Sequence, residues 1–310
     1  MEKRKIGSLE VSLAGIGCNN FGWRIDADGT AAVVTAAIEA GINFFDTADI
    51  YGGGQSEEYL GRALKGRRDK VLIATKFGMK MADGKEGAKP AYIRQAAEDS
   101  LRRLGTDHID LYQIHKADPS TPIADTLGAL DELVKAGKVR EIGCSNFSAE
   151  QLREAAGASE KSGGARFVSV QNNYSLLHRE PEPEVLPECQ RLGIAFLPYF
   201  PLANGLLTGK YRQGQPFPKS SRAEDGFGPK VFTEENLALA EQLRGFAESR
   251  GHTLLELSMA WLAAKKAIAS IIAGAKTPEQ AKANASSVAW RLTEADMAAV
   301  DGILTAKAHG

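Results

Sequence analysis

Eight short apolar segments recur along the chain, each followed by a stretch with helical periodicity, and this alternation constrains the fold more than any other feature. The segments are β-branched or aromatic and apolar on both faces, which is typical of strands in a covered parallel sheet. They are LAGIG (13–17), INFF (42–45), VLIAT (71–75), IDLYQI (109–114), VREIG (139–143), FVSV (167–170), IAFLPY (194–199) and IASII (268–272).

Helical patterns fill the intervals, and several of them end at glycines. AAVVTAAIEA (31–40) stops at Gly41, AYIRQAAEDSLRRL (91–104) at Gly105, and 125–136 at Gly137. Glycine is common just beyond a helix C-terminus. Strands alternating with helices over 310 residues predict an α/β protein, a (β/α)8 TIM barrel forming a single domain over 1–310. A doubly wound open sheet is the alternative.

Two connections are longer than barrel turns require. The segment 201–236 is rich in glycine and proline, and 78–90 is a second candidate for a rim loop. Loops of this size in compact domains usually close over a ligand or are disordered. We therefore expect the segment at about 201–236 to lie beside a binding site.

Charge and composition argue against several classes of partner. The 38 basic and 39 acidic residues give a net charge of −1, so no global field favours nucleic acid or an anionic membrane. No apolar stretch reaches the ~20 residues of a membrane span, and the N-terminus lacks the apolar core of a signal peptide. Cys18, Cys144 and Cys189 form no CxxC motif. We expect a cytoplasmic protein with reduced thiols.

Polar residues follow three successive strand segments. INFF is followed by Asp46, VLIAT by Lys76 and IDLYQI by His115, while Tyr51 stands before three glycines in the loop after Asp46. The C-terminal ends of barrel strands surround the active-site mouth, and the glycines allow the chain to turn back over it. A carboxylate, a phenol, an ammonium and an imidazole are therefore expected at one rim.

Each of these residues also has an ordinary structural interpretation. Asp46 could cap a turn, Lys76 could be a solvated rim charge, His115 a satisfied polar residue and Tyr51 a packing aromatic. Together they are suited to protonating a carbonyl oxygen. A lysine ammonium stabilises a phenolate and lowers the phenol pKa from ~10, and a carboxylate holds the ammonium in place.

Other chemistries fit the sequence less well. The five histidines are scattered, with no HExxH, so no metal site is expected. A glycosidase needs two carboxylates at the mouth, but Glu57 and Glu58 follow Ser56 and are typical of the acidic first turn of a capped helix. GIGCNNFG has Asn20 where a dinucleotide fingerprint has its third glycine.

A candidate anion site follows the last strand segment. In GAKTPEQAKANA (274–285), Thr277 and Gln280 form a capping-box pattern and Pro278 stands at the first helical turn. A helix N-terminus in the loop after strand eight of a barrel is a common phosphate site, and the adjacent Lys276 favours a phosphate over an ordinary helix start.

Six segments spread over most of the chain resemble the aldo-keto reductase superfamily, near the branch of potassium-channel β-subunit-like reductases. In chain order they are DTADIYGGGQSEEYLGRAL, the lysine of VLIATKFG, LYQIH, GCSNFS, VQNNYSLL and PLANGLLTGKY. The resemblance implies a (β/α)8 barrel and a catalytic tetrad of Asp46, Tyr51, Lys76 and His115. Tyr51 would be the general acid, Lys76 and Asp46 would tune it, and His115 would orient the carbonyl.

The same resemblance implies an NADP(H) cofactor. Ser145, Asn146 and Gln171 match the residues that bind the nicotinamide carboxamide, and Tyr199 matches the aromatic on which the ring stacks. The residues matching the phosphate and adenosine positions are Pro201, Leu202, Lys210, Arg222, Gly274, Lys276, Gln280 and Asn284. Because three of these side chains are basic, NADPH is expected in preference to NADH.

The sequence therefore predicts an NADPH-dependent enzyme that reduces aldehydes or ketones, with Trp23 and Phe77 shaping the substrate pocket. The main alternative is a regulatory subunit that binds NADP(H) and turns over slowly; His115 favours the enzyme, because the regulatory branch lacks histidine there. An unrelated barrel lyase or isomerase is a third possibility. The individual carbonyl substrate, the physiological direction and the oligomeric state do not follow from the sequence.

Overall fold

In a computed structural model, which describes residues 1–218, 222–224 and 228–305, eight parallel strands close into a barrel. The strands, in chain order, are β1 (Lys3–Ile6), β2 (Leu9–Ser12), β3 (Ala14–Gly17), β4 (Phe44–Asp46), β5 (Leu72–Phe77), β6 (Ile109–Ile114), β7 (Val139–Ser145), β8 (Phe167–Asn173), β9 (Ala195–Tyr199) and β10 (Ile271–Gly274). The barrel runs from β3 to β9 in sequence order, and β10 closes it between β9 and β3. The predicted (β/α)8 barrel is confirmed.

Helices surround the barrel and connect its strands. They are α1 (Ala27–Glu39), α2 (Gln55–Ala63), α3 (Pro90–Leu104), α4 (Ile123–Lys135), α5 (Ala149–Ser162), α6 (Val185–Leu192), α7 (Gly228–Val231), α8 (Glu234–Glu248), α9 (Leu254–Ala263), α10 (Pro278–Ser287) and α11 (Glu294–Thr305). The predicted helix end at Gly105 is confirmed, with φ 62° at that glycine. The single domain predicted over 1–310 includes residues 306–310, which lie outside the described residues.

Strand alternation divides the core into two layers. On β4, Phe44 packs inside the barrel with Leu111 and Leu197, whereas Phe45 packs between the barrel and its helices. Since neighbouring residues on a strand point to opposite faces, the residue two positions after Phe44 also points inward. That residue is Asp46, at the strand's C-terminal end.

An N-terminal hairpin closes the opposite end of the barrel. Strands β1 and β2 pair antiparallel, and Ile6, Leu9 and Val11 of this hairpin are buried against the interior layer that includes Phe44. This hairpin was not predicted from the sequence. Its strands are four residues long and carry charges on the outer face, so their apolar pattern is too short to distinguish from a loop.

The last barrel strand lies slightly further along the chain than expected. Residues 271–274 form β10, whereas 268–272 was predicted. Ile268 and Ala269 are buried, but they make only an isolated bridge and a single backbone bond to Phe196 before the ladder begins. The first residues of the apolar run are therefore buried below the ladder, and only its last two residues belong to β10.

The long segment predicted at 201–236 contains structure of its own. It includes short 3-10 helices at Ala203–Thr208 and Arg222–Glu224, then α7 and the start of α8. Residues 219–221 and 225–227 of this segment lie outside the described residues. In the part of the chain that is described, no helix combines the length and apolar character needed to cross a membrane.

Candidate active site

A buried ion pair lies at the C-terminal end of the barrel. Lys76 on β5 is 0% exposed and donates from Nζ to Asp46 Oδ2 at 2.6 Å and to the Thr47 carbonyl at 2.9 Å. The other Asp46 oxygen, Oδ1, accepts from Gln113 Nε2 at 3.2 Å and Gln171 Nε2 at 2.8 Å. Burial lowers the pKa of Lys76, but Asp46 and Tyr51 raise it more, so the ammonium stays charged.

Tyr51 reaches the same end through a glycine turn. It begins a 3-10 turn, Tyr51–Gly54, in which the three glycines have φ of 59°, 66° and 100°. These left-handed values favour glycine, and a Cβ on Gly52 would come within 3.1 Å of the Gly22 carbonyl oxygen. The turn brings the Tyr51 ring to 5.2 Å from Lys76 Nζ.

The phenol of Tyr51 is held in its neutral form. Burial raises its pKa, and the attraction of Lys76 offsets only part of that rise while Asp46 adds to it. Lys76 therefore lowers the phenol pKa, as expected, but burial is the larger effect and the net shift is upward. Tyr51 has a proton to donate across the physiological pH range.

His115 lies opposite Tyr51, just beyond β6. The two rings meet edge to face with centroids 5.9 Å apart. Burial lowers the pKa of His115 to about 3, with Lys76 and Lys116 adding to the shift, so the imidazole is neutral. Its Nδ1 is buried with no hydrogen-bond partner among the described residues. A neutral imidazole can orient a polar ligand without adding charge.

A second group of polar side chains surrounds the barrel axis beside the ion pair. Ser145 Oγ donates to the Gln171 carbonyl at 2.7 Å, and Asn146 Nδ2 donates to the His115 carbonyl at 2.9 Å. Tyr199 donates its hydroxyl to Asn146 Oδ1 at 2.8 Å. Asn146 has φ 60°, a conformation that asparagine tolerates better than most residues. These four residues line one cavity with Tyr51 and His115.

Three cations line the other end of this cavity. Lys210, Arg222 and Lys276 each have a lowered pKa, first because of burial and then because nearby cations, including Arg24, repel the charge. Arg222 donates to Asn20 Oδ1 at 3.2 Å. Side chains that repel each other in this way form a site for an anion.

Helix α10 begins beside these cations. Thr277 caps it by accepting from the Gln280 N–H at 3.3 Å, and Pro278 occupies the first turn, as expected. Gln280 bonds the Lys276 N–H at 2.8 Å rather than that of Thr277, so the predicted capping box is only half formed. The helix N-terminus adds backbone donors to the cationic end of the cavity.

The cavity has a volume of about 710 Å³ and runs between the two ends. Of the residues expected at a cofactor or catalytic position, those that line it are Asp46, Tyr51, His115, Ser145, Asn146, Gln171, Tyr199, Pro201, Leu202, Lys210, Arg222, Gly274, Lys276, Gln280 and Asn284. Lys76 lies beneath its floor, paired with Asp46. The structure therefore brings these residues together around one space.

The two residues expected to shape the substrate pocket are not part of that lining. Phe77 is 0% exposed and packs on Tyr112 at 4.8 Å, because the inward orientation of Lys76 turns its neighbour outward to the helices. Trp23 is 58% exposed on the loop after β3, with Arg24 stacked on it. The assignment of Phe77 is thus corrected, while Trp23 stays a prediction.

Several residues at the cavity were not predicted from the sequence. Ile50 and Met79 line the wall near Tyr51, and Asn20 lines the cationic end. Gln113 lies under the floor against Asp46. The signal that could have found Ile50 and Met79 is position, since each lies in a loop that follows a barrel strand.

The acidic residues after the glycine turn also differ from expectation. Glu57 and Glu58 are in the first turn of α2, as predicted, but the N-cap is Gly54 and not Ser56. Ser56 lies inside the helix and donates to the Cys18 carbonyl at 2.8 Å. Glu57 faces away from the cavity into a buried cluster. In the described part of the chain, no group of three or more His, Cys, Asp or Glu could hold a metal ion.

Comparison with known proteins agrees with this architecture. A model of the aldo/keto reductase family matches residues 14–305. The aldo-keto reductase YhdN of Bacillus subtilis (strain 168) is 35% identical over 306 residues, covering 96% of this chain and 91% of that protein. A probable aldo-keto reductase of Glycine max is 34% identical over 304 residues, covering 94% and 86%.

Solved structures give the same result. The glycerol dehydrogenase of Gluconobacter oxydans superposes with a TM-score of 0.86 at 32% identity, covering 99% of this chain and 96% of that one. An aldo-keto reductase of Bacillus halodurans, described as its holo form, superposes with a TM-score of 0.79 at 32% identity, covering 98% and 96%. With a family match over nearly its whole length, the chain belongs to the aldo/keto reductase family.

Proposed function

We propose that the protein is an NADPH-dependent reductase of aldehyde or ketone carbonyls. Family membership supports carbonyl reduction in general. The observation that carries the finer proposal is the position of the Tyr51 phenol, at the cavity between the Asp46–Lys76 pair and the neutral His115. A neutral phenol beside a buried ammonium is suited to donate a proton to a carbonyl oxygen.

The residues along the cavity fit a nicotinamide dinucleotide phosphate. Ser145, Asn146 and Gln171 offer hydroxyl and amide groups suited to a carboxamide, and Tyr199 offers an aromatic face. Lys210, Arg222 and Lys276 offer three positive charges to phosphates at the far end. When bound, the reduced cofactor supplies a hydride to the carbonyl carbon.

The tetrad then handles the proton. Tyr51 donates the hydroxyl proton to the carbonyl oxygen as negative charge develops there, and Lys76 stabilises the phenolate that remains. Asp46 fixes Lys76 through its 2.6 Å ion pair. Neutral His115 orients the same carbonyl oxygen without contributing charge. Burial and protonation state support these roles, since the raised pKa of Tyr51 keeps its proton available until transfer.

The residues that line the cavity near Tyr51 indicate a class of substrate. Ile50 and Met79 make this wall apolar, and the cations that line the cavity in the described residues lie at its other end. We therefore propose uncharged aldehydes and ketones as substrates. Polyols are the substrates to try in the reverse reaction, because one structural neighbour is a glycerol dehydrogenase.

Because Cys18, Cys144 and Cys189 are free thiols, we also propose a cytoplasmic location.

The substitution Tyr51→Phe tests the proposal. It removes the proton donor and leaves the ring, so we expect kcat for an aromatic aldehyde to fall by about 10²- to 10⁴-fold. The dissociation constant for NADPH, measured by quenching of nicotinamide fluorescence, should change less than about twofold, because the ring remains in place. NADPH absorbance reports the rate.

Tyr59→Phe is the matched control. Tyr59 lies on α2, stacked on Arg62 at 4.6 Å and away from the cavity, so its hydroxyl should not affect turnover. Near-normal turnover in Tyr51→Phe would contradict the assigned acid. If neither NADPH nor NADH bound to the unmodified protein, the whole reductase proposal would fail.

A further inference from the structure

Behind the Tyr51 turn lies a buried cluster of charged and phenolic side chains. Asp49 is 1% exposed and Glu57 0% exposed, and both lie between the barrel strands β5 and β6 and the helices α2 and α3. The groups that face Asp49 are Glu57 from α2, Arg103 and Tyr92 from α3, Lys76 from β5 and Tyr112 from β6.

Glu57 is fully partnered within this cluster. Its Oε1 accepts from Thr75 Oγ1 at 2.5 Å, and its Oε2 accepts from Arg103 Nε at 2.6 Å. One carboxylate and one guanidinium therefore balance each other. At Asp49, the repulsion from Glu57 exceeds the attraction of Arg103, so this ion pair does not stabilise a second carboxylate beside it.

Asp49 is the member of the cluster that this pairing leaves unbalanced. Its Oδ1 is buried with no hydrogen-bond partner among the described residues, and so is the Tyr112 hydroxyl. Burial and the nearby Glu57 raise the pKa of Asp49 to about 7, against the opposing attraction of Arg103 and Lys76. Tyr92, Tyr112, Arg103 and Lys76 all have raised pKa values, so they do not titrate near neutrality.

The cluster is mechanically joined to the catalytic turn. Asp49 precedes Tyr51 by two residues, and its N–H donates to the Lys76 carbonyl at 3.1 Å. Arg103 packs against the last glycine of the turn, where a Cβ on Gly54 would lie 2.9 Å from Arg103 Cδ. A shift of charge in this cluster therefore acts directly on the backbone that carries Tyr51 and Lys76.

We propose that Asp49 is a positioning residue, which holds the Tyr51 turn in its catalytic conformation while its carboxyl group is protonated. Loss of that proton places a second negative charge beside Glu57 in a low-dielectric region whose two cations, Arg103 and Lys76, are already paired with Glu57 and Asp46. The turn relaxes to separate the charges, and Tyr51 moves from its place beside Lys76. This inference rests on the proposed role of Tyr51.

The sign of the pH dependence follows from the raised pKa. The ordinary value of 3.8 applies to the unfolded chain, and about 7 to the folded one. The folded state therefore binds the proton more tightly, so the free energy of unfolding falls as pH rises from about 4 to about 7 and is then constant. Activity should follow the folded-state pKa and fall as pH passes through about 7.

Asp49→Asn tests the proposal because it keeps the shape of the protonated carboxyl and cannot ionise. With saturating NADPH, we expect kcat/KM of the unmodified protein to be about threefold to fivefold lower at pH 8.5 than at pH 6, and that of Asp49→Asn to differ by less than about 1.5-fold. Asp49→Ser, a smaller neutral substitution, should give the same flat profile and serves if the asparagine variant does not fold. Exposed Asp69→Asn is the control and should keep the profile of the unmodified protein.

A second readout does not depend on turnover. With 3-fluorotyrosine incorporated, the Tyr51 resonance, assigned through Tyr51→Phe, should shift in the unmodified protein with a midpoint near pH 7 and remain constant in Asp49→Asn. If the fluorine resonance shifted with pH but the protein reduced no aldehyde, the positioning role of Asp49 would stand and the proposed function would be wrong. Identical pH profiles and identical fluorine titrations in the two proteins would overturn the inference.

Discussion

At the scale of single residues, the site depends on a charge pair that has little contact with water. Asp46 and Lys76 are 2% and 0% exposed, and their carboxylate and ammonium lie 2.6 Å apart. Removing one partner from such a pair leaves the other charge buried without compensation, which is far more destabilising than replacing both. Each partner is therefore needed for stability as long as the other is present, and both are needed for the proposed chemistry.

Lys76→Met should accordingly lower the free energy of unfolding by about 3–5 kcal/mol, because the Asp46 carboxylate keeps only its two amide hydrogen bonds. The double variant Asp46→Asn/Lys76→Met should lose less free energy of unfolding than the sum of the losses in the two single variants, by about 1–3 kcal/mol. Urea denaturation at pH 7 measures both values. Exposed Lys161→Met is the control and should change stability by less than about 0.5 kcal/mol. Strictly additive effects would show that the pair does not act as a unit.

The positions of Asp46, Tyr51, Lys76 and His115 were predictable from the sequence, because barrel topology brings successive strand ends to one rim. The side chains packed behind them were not predictable. Glu57 was expected in a helix turn, and only packing shows that it pairs with Arg103 from the next helix. The protonation state of Tyr51 likewise depends on burial, since desolvation outweighs the pull of Lys76. Both properties come from three-dimensional neighbours and leave no local pattern.

At the scale of elements, the eight barrel strands were predictable because each is apolar on both faces, and the floor was not. In the hairpin β1–β2, the strand KRKI has one apolar residue in four positions and the strand LEVS has two, so the sequence resembles a polar loop. In the structure its apolar face fills the bottom of the barrel against Phe44, Leu111 and Leu197. This element contributes stability far from the catalytic end.

Ile6→Ala should therefore lower stability without affecting catalysis. Ile6 is 0% exposed at the barrel floor, and truncating such a side chain costs about 2–5 kcal/mol through lost burial and the cavity left behind. Urea denaturation should show this loss, while KM for aldehyde at 25 °C remains within about twofold of the unmodified value. Lys5→Ala changes an exposed residue of the same hairpin and should be nearly neutral. A large change in KM would mean that the floor is coupled to the active site.

At the scale of the whole molecule, a net charge of −1 hides a strong local concentration of positive charge. The cationic end of the cavity gathers Lys210, Arg222 and Lys276 near Arg24, while the other end carries neutral Tyr51 and His115. Composition alone could exclude a global field, but it could not show where the cations meet. The barrel does this by bringing the long segment after β9 against the loop after β10.

The proposed NADPH preference can be tested through the salt dependence of binding at this group of cations. Because the extra phosphate of NADPH would meet several cations, raising NaCl from about 50 to about 500 mM should weaken NADPH binding by about fivefold or more and NADH binding by about twofold. Nicotinamide fluorescence titrations measure both affinities. Lys276→Gln should reduce the NADPH slope toward that of NADH, whereas exposed Lys161→Gln should leave it unchanged. Equal affinities and equal slopes for the two nucleotides would reject the 2′-phosphate site, and the barrel and the arrangement around Tyr51 would stand without it.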